Sequence, residues 1–177
     1  RMADMDRLAA FEGYRFATDW RYYDGSLSYA NLESQTDSAG TPCRFPQRKL
    51  EARPYWFTTE VAFPPEIHGI KLTGTRARLV CWTINPTQVY IDGNLVFAER
   101  YWSDFRSPEV LISAAVDPAR PQRLAVWVDL SRTAGIGGDL SMHVEVDPVE
   151  TALFEVTSFP SELDYCSDFQ ELAPAVA

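Results

Sequence analysis

The chain has 177 residues, 46% of them hydrophobic and 13% aromatic, and its 25 Asp and Glu against 16 Lys and Arg leave a formal charge of -9. That length and apolar content fit one folded domain and exclude a disordered chain, while the negative field repels phosphate backbones and anionic lipid, so neither nucleic acid nor a membrane is expected as a partner. No stretch approaches the roughly 18 apolar residues of a membrane span and no apolar secretory segment opens the sequence, so a cytoplasmic protein is expected.

In chain order, residues 3–11 (ADMDRLAAF) have apolar positions at helical spacing behind an acidic start, which predicts a short helix within a peripheral arm, residues 1–13. Met2 is expected to be the natural start, with Arg1 extraneous to it. From Tyr14 the period changes to two: Tyr14, Phe16, Thr18, Trp20 and Tyr22 share one face, and Arg15, Asp19 and Arg21 the other. That is a strand buried on one side. Residues 24–54 are rich in Gly, Ser, Asn, Asp and Pro without periodicity and read as a long loop that wraps a surface or crosses between sheets. Alternation resumes in YWFTTEVAF, with Tyr55, Phe57, Val61 and Phe63 on one face, and stops at Pro64-Pro65.

Further strands are expected at about 76–84, 87–92, 95–99, 109–113, 123–130 and 140–147, bounded by Pro, Gly and Asp turns. Asp92-Gly93-Asn94, between alternating apolar residues, is a hairpin signal. The fold class is therefore all-β: about eight strands over residues 14–147 form an antiparallel two-sheet sandwich, with a jelly roll as first choice. Phe57, Val61, Ile91, Val126, Val128, Leu140, Met142 and Val144 are expected on its inner faces. After Pro148 the pattern weakens, and residues 148–177 read as an irregular arm or linker toward a further domain.

Little in the sequence carries catalytic chemistry. His68 and His143 lie far apart with no ligand spacing, and Cys43, Cys81 and Cys166 are odd in number and outside any C-x-x-C, so no metal site, disulfide framework or cofactor is expected. His143 is read as a solvated residue on a polar strand face. GIGGDL (135–140) precedes a strand, not a helix, and is read as a turn. There is no G-x-S-x-G elbow, and a catalytic pair among 25 carboxylates has no signature of its own. The candidate contact site is RYWSDFR, where Arg100, Tyr101, Trp102, Asp104, Phe105 and Arg106 combine aromatic faces with charge after a hairpin strand. Such a group suits either a sugar ring or a protein interface, and the same aromatics also serve as core anchors.

From Tyr55 to about Leu163, the order of YWFTTEVAFPPEIHG, WTINPTQVYIDGNLVF, VLISAAVDPARPQRLAVWVDLSRTAGIGGDLSMHVEV and FPSELD resembles the N-terminal β-sandwich of bacterial and fungal zinc-dependent, retaining α-mannosidases. More loosely it is similar to the galactose-binding-like jelly rolls of other glycosidases. The resemblance implies a non-catalytic accessory domain of a glycoside hydrolase. Its partners would be the catalytic domain, which in that family carries the zinc ligands and the nucleophilic Asp, and carbohydrate. No catalytic residue carries over to this chain. The rival readings are a free-standing lectin-like carbohydrate-binding module and a small carboxylate hydrolase.

Overall fold

The computed structural model describes residues 16–17, 19–35, 39–47, 50–67, 69–83, 85–99, 109–131 and 140–147. The expected N-terminal helix, the C-terminal arm, His68, Cys166, Gly135–Asp139 and all six candidate contact residues of 100–106 lie outside them.

The described elements are β1 (Trp20–Asp24), α1 (Tyr29–Glu33), β2 (Thr41–Cys43), β3 (Pro54–Val61), β4 (Glu66–Ile67), β5 (Ile70–Lys71), β6 (Ala77–Trp82), β7 (Thr87–Ile91), β8 (Asn94–Glu99), β9 (Glu109–Ser113), β10 (Gln122–Asp129) and β11 (Ser141–Val146). All pairings are antiparallel. One sheet runs β2-β1-β3-β10-β7-β8, a second runs β11-β6-β9, and β4 and β5 form a separate hairpin. The fold is the expected all-β sandwich, with its strands divided six and three.

Alternation accounts for the core between the sheets. Every residue expected on the inner faces is buried: Phe57, Val61, Val126 and Val128 from the larger sheet, Met142 and Val144 from the smaller, with Ile91 and Leu140 beside them. Leu79, Cys81, Val110 and Ile112 complete the layer from the second sheet. Burying these side chains supplies the main driving force for the sandwich. The hairpin signal is also realised, since Asp92 (φ 47°) and Gly93 (φ 87°) both take the left-handed conformation that a two-residue turn requires. Asp92 is locked to β10, because its carboxylate accepts from Arg123 N–H (2.9 Å) and its own N–H donates to the Arg123 carbonyl (2.9 Å).

Residues 24–54 wrap a surface, one of the two courses expected of them, and carry short elements that their lack of periodicity did not announce. They contain α1, whose Ser28 hydroxyl caps Asn31 N–H (3.3 Å), and the edge strand β2. α1 covers the outer face of the larger sheet. Leu32, Tyr23, Trp56 and Ala125 form a second, smaller core there, with Leu27, Tyr29, Tyr90 and Trp127 packed against it. Tyr29 stacks on Tyr90 at 4.1 Å between ring centroids and 5° between planes. Two indole N–H groups pin the same segment, Trp56 to the Leu27 carbonyl and Trp127 to the Gly25 carbonyl, each at 2.9 Å. β3 is thus covered on both faces, which explains why Trp56 and Thr58 are buried between the residues that periodicity assigns inward.

The outer face of the smaller sheet carries a charged cluster. Arg78 bonds Glu145 (2.9 Å) and lies 3.7 Å from both Glu109 and Asp147. His143 is not simply solvated: its Nε2 is 2.8 Å from Glu145 Oε1, in register between Ser141 and Glu145 on β11. We expect Glu145→Ala, which removes the common partner of Arg78 and His143, to lower stability by about 1–2 kcal/mol in urea unfolding. A change within the error of the wild-type curve would show that the network is only a solvated surface pair.

Candidate functional site: a polar groove along the first strand

β1 positions the described groove. It lies between the short edge strand β2 and the central strand β3, with Cys43 opposite Trp20 and Thr58 opposite Arg21. Because β2 contributes only three residues, part of β1 is left open. A cleft of 710 Å³ opens there, walled by Trp20, Tyr22, Thr41 and Cys43 and by Arg44 and Gln47 beyond β2. A second cleft, of 550 Å³, lies against Phe16, Thr58, Thr59, Glu60 and Arg123. Both are lined by Asp19 and Arg21. Each is the size of a small-molecule site.

The walls are mixed. Trp20 is buried and packs edge-on against Phe45 (5.2 Å), while half-buried Tyr22 packs edge-on against Tyr55 (5.7 Å). Arg21 Nη1 donates to the Gly40 carbonyl (2.9 Å), which holds the loop before β2 against β1. A side chain at Gly40 would run into Tyr23, since a Cβ there would lie 2.4 Å from the ring. Among the described residues no group of His, Cys, Asp and Glu is placed to hold a metal ion, and no helix is long and apolar enough to cross a membrane.

The setting of Cys43 disfavours its thiolate form. Burial pushes its thiol up to about 11, and burial pushes that of Cys81, in the core, up to about 12. At pH 8 both are therefore thiols, and peptide mapping after iodoacetamide treatment should find both unmodified in the folded chain and modified in urea. The same shifts fix a pH dependence. A raised folded pKa means that the stabilisation is fully present below the unfolded value of 9.0 and is lost as pH rises through about 11 and 12. Stability should fall across that alkaline window, and Cys43→Ser should remove part of the fall.

No family model matches the sequence, and no curated protein matches it. Solved structures do match in three dimensions. A β-glucuronidase from Faecalibacterium prausnitzii superposes at a TM-score of 0.50 with 16% identity, over 66% of this chain and 20% of that one. A glycosyl hydrolase family 2 member from Bacteroides cellulosilyticus gives 0.52 and 12%, over 75% and 20%. A β-glucuronidase from Bacteroides uniformis gives 0.51 and 18%, over 74% and 17%. What is shared is the fold. The chain spans about a fifth of the length of the enzymes it matches, so the sandwich corresponds to one part of a much larger polypeptide in each.

In the sequence the aromatic and charged signal stands out after β8, in RYWSDFR, and not on β1. Its signal was present in Asp19-Trp20-Arg21-Tyr22, where charged and aromatic residues alternate as they do in RYWSDFR. Strand period alone gave those residues a structural role.

Proposed function

We propose that the chain is a non-catalytic accessory domain of a glycoside hydrolase, packing on a catalytic domain and contacting carbohydrate. The likeness of its sandwich to about a fifth of several such enzymes carries this reading. The resemblance of residues 55–163 to the N-terminal sandwich of α-mannosidases points the same way on role. The two likenesses differ on the sugar, and an α-mannosidase partner rests on the sequence resemblance alone. A cytoplasmic location remains part of the proposal.

Docking to protein is favoured over a free-standing lectin by where exposed apolar side chains fall. Leu95 (52% exposed) and Val96 (48%) lie on β8, and Leu111 (46%) lies on β9. β8 is the end strand of the larger sheet and β9 of the smaller, and the Gln47–Leu140 bridge ties the opposite ends together. The segment joining β8 to β9 is the one that holds Arg100, Tyr101, Trp102, Asp104, Phe105 and Arg106. Exposed apolar residues beside an aromatic and Arg-rich sequence have the composition of an interface core. Tyr29 and Tyr90, by contrast, stack on each other and leave no paired open faces for sugar rings.

The test is direct. The chain alone should release no nitrophenol from aryl α-mannoside or aryl β-glucuronide above a matched blank, with or without zinc. It should co-elute with the polypeptide encoded beside it, and Leu95→Asp with Leu111→Asp should abolish co-elution without lowering the melting temperature. Turnover by the chain alone, or co-elution untouched by both substitutions, would overturn the reading.

A further inference from the structure

The cleft of 550 Å³ lies where β1, β3 and β10 run side by side, and the charged side chains of Asp19, Arg21, Glu60 and Arg123 line it. Arg21, Thr58, Glu60 and Arg123 share the outer face of the larger sheet. Arg21 is opposite Thr58 and Arg123 opposite Glu60, and each stands an even number of positions from Tyr23, Trp56 or Ala125, which pack with α1 on that face. Opposite charges thus line one cleft, yet among the described residues Asp19, Arg21, Glu60 and Arg123 form no ion pair. Arg21 commits one N–H to the Gly40 carbonyl (2.9 Å), which leaves its other donors. Asp92, beside Arg123, already accepts from the Arg123 backbone N–H and lies 3.8 Å from Arg120. Thr58 sits between the charges. It is 7% exposed and lines the cleft, and its hydroxyl has no hydrogen-bond partner among the described residues. A hydroxyl so buried and so placed is one that a ligand in the cleft would satisfy.

We propose that this cleft binds a neutral mono- or disaccharide through its hydroxyl groups. A sugar hydroxyl both donates and accepts, so neighbouring hydroxyls satisfy a carboxylate and a guanidinium together. Asp19 and Glu60 take the donated hydrogens, Arg21 and Arg123 donate to the hydroxyl oxygens, and Thr58 Oγ1 gains the partner it lacks. The mixed signs select against charged ligands. An anion meets the carboxylates of Asp19 and Glu60 within an overall charge of -9, and a cation meets two guanidinium groups. Phe16, the one aromatic residue among those lining the cleft, is tilted against Phe63 at 5.5 Å. The ligand is therefore held by hydrogen bonds with little stacking, which sets a weak affinity. The volume is that of a small-molecule site. Recognition of hydroxyls is read from the cleft itself, while the choice of a saccharide rests on the accessory-domain reading.

Titration of the isotope-labelled full chain with the methyl glycosides of glucose, galactose and mannose, followed by NMR, tests the proposal. At least one should shift the amides of Thr58, Glu60 and Arg123 with a dissociation constant of about 1–10 mM, and the uronate of the same sugar should bind at least about threefold more weakly. Thr58→Val keeps the shape of the side chain and removes the hydroxyl. It should weaken binding by about fivefold or more, the loss of one hydrogen bond. Its melting temperature should equal or exceed that of wild type, since the hydroxyl has no partner in the protein to lose. Glu60→Ala and Arg123→Ala should weaken binding to a similar degree, and Arg76→Gln, which lies just before β6 on the other sheet, should leave it as it was. No shift at about 50 mM glycoside, shifts confined to other residues, or a Thr58→Val variant that binds like wild type would each overturn the site. A Thr58→Val variant less stable than wild type would assign the hydroxyl to the fold and overturn it as well. Glycine betaine or the uronate binding as tightly as the glycoside would overturn the assignment to a neutral saccharide. The exposed apolar residues of β8 and β9 lie outside the cleft. None of these outcomes therefore bears on co-elution, so failure here and failure of the docking reading are distinguishable.

Discussion

Phe57→Ala should lower stability by about 3–5 kcal/mol, the range for emptying a fully buried aromatic site, and should lower the melting temperature by roughly 10 °C in a chain of this size. Phe57 has no exposed surface and sits at the middle of β3, flanked in register by Tyr22 on β1 and Val126 on β10. Its ring contacts Phe45 at 5.4 Å, Tyr55 at 6.1 Å and Tyr22 at 6.5 Å. These neighbours are held on three different strands or loops, so they cannot collapse together into the space a methyl leaves. The cavity term therefore adds to the lost transfer energy. Phe57→Leu, which keeps most of the volume, should lose only about 1–2 kcal/mol. Leu95→Ala, at an exposed position, should change stability by less than about 0.5 kcal/mol. Urea unfolding of the three variants checks the order, and a Phe57→Ala loss no larger than that of Leu95→Ala would refute the core assignment.

The same residue shows what was legible in the sequence. A strand with one buried face writes its pattern at period two, and every expected inward residue from Phe57 to Val144 is buried. What period two cannot show is a second layer. Trp56 and Tyr23 fall on the face that alternation assigns outward, and they are buried because α1 crosses over them. α1 has five residues and one apolar side chain in the core, Leu32, which is too little for a helical period to emerge. β4 and β5, two residues each, are equally below the length at which alternation means anything.

The groove was illegible for a different reason. Arg21 and Arg123 are about a hundred positions apart, and only the pairing of β1 with β3, and of β3 with β10, places them on one cleft. A sequence shows charges but not which of them lack partners.

Gly25→Ala should be as damaging as the loss of a core aromatic, although it adds a single methyl. A Cβ at Gly25 would lie 2.2 Å from the Pro54 carbonyl carbon and 2.4 Å from the Tyr55 nitrogen. Both are backbone atoms of β3, which is bonded on its two sides by β1 and β10 and has no freedom to retreat. The segment carrying Gly25 must move instead. That movement breaks the Gly25 N–H bond to the Pro54 carbonyl (3.1 Å) and the Trp127 indole bond to the Gly25 carbonyl (2.9 Å). It also shifts Leu27, whose carbonyl accepts from Trp56, and so lifts α1 off the outer sheet face. Two indole donors then lose partners and the small core around Leu32 and Tyr23 opens. Overpacking, lost hydrogen bonds and lost burial together predict a fall of about 3–5 kcal/mol. The effect should be local in character as well as large. Hydrogen exchange should speed up across residues 25–33 while the β6–β11 pairing stays protected, because that sheet packs on the other face. A variant as stable as wild type, or one whose exchange rises equally in both sheets, would show that α1 is not held by the close approach at Gly25.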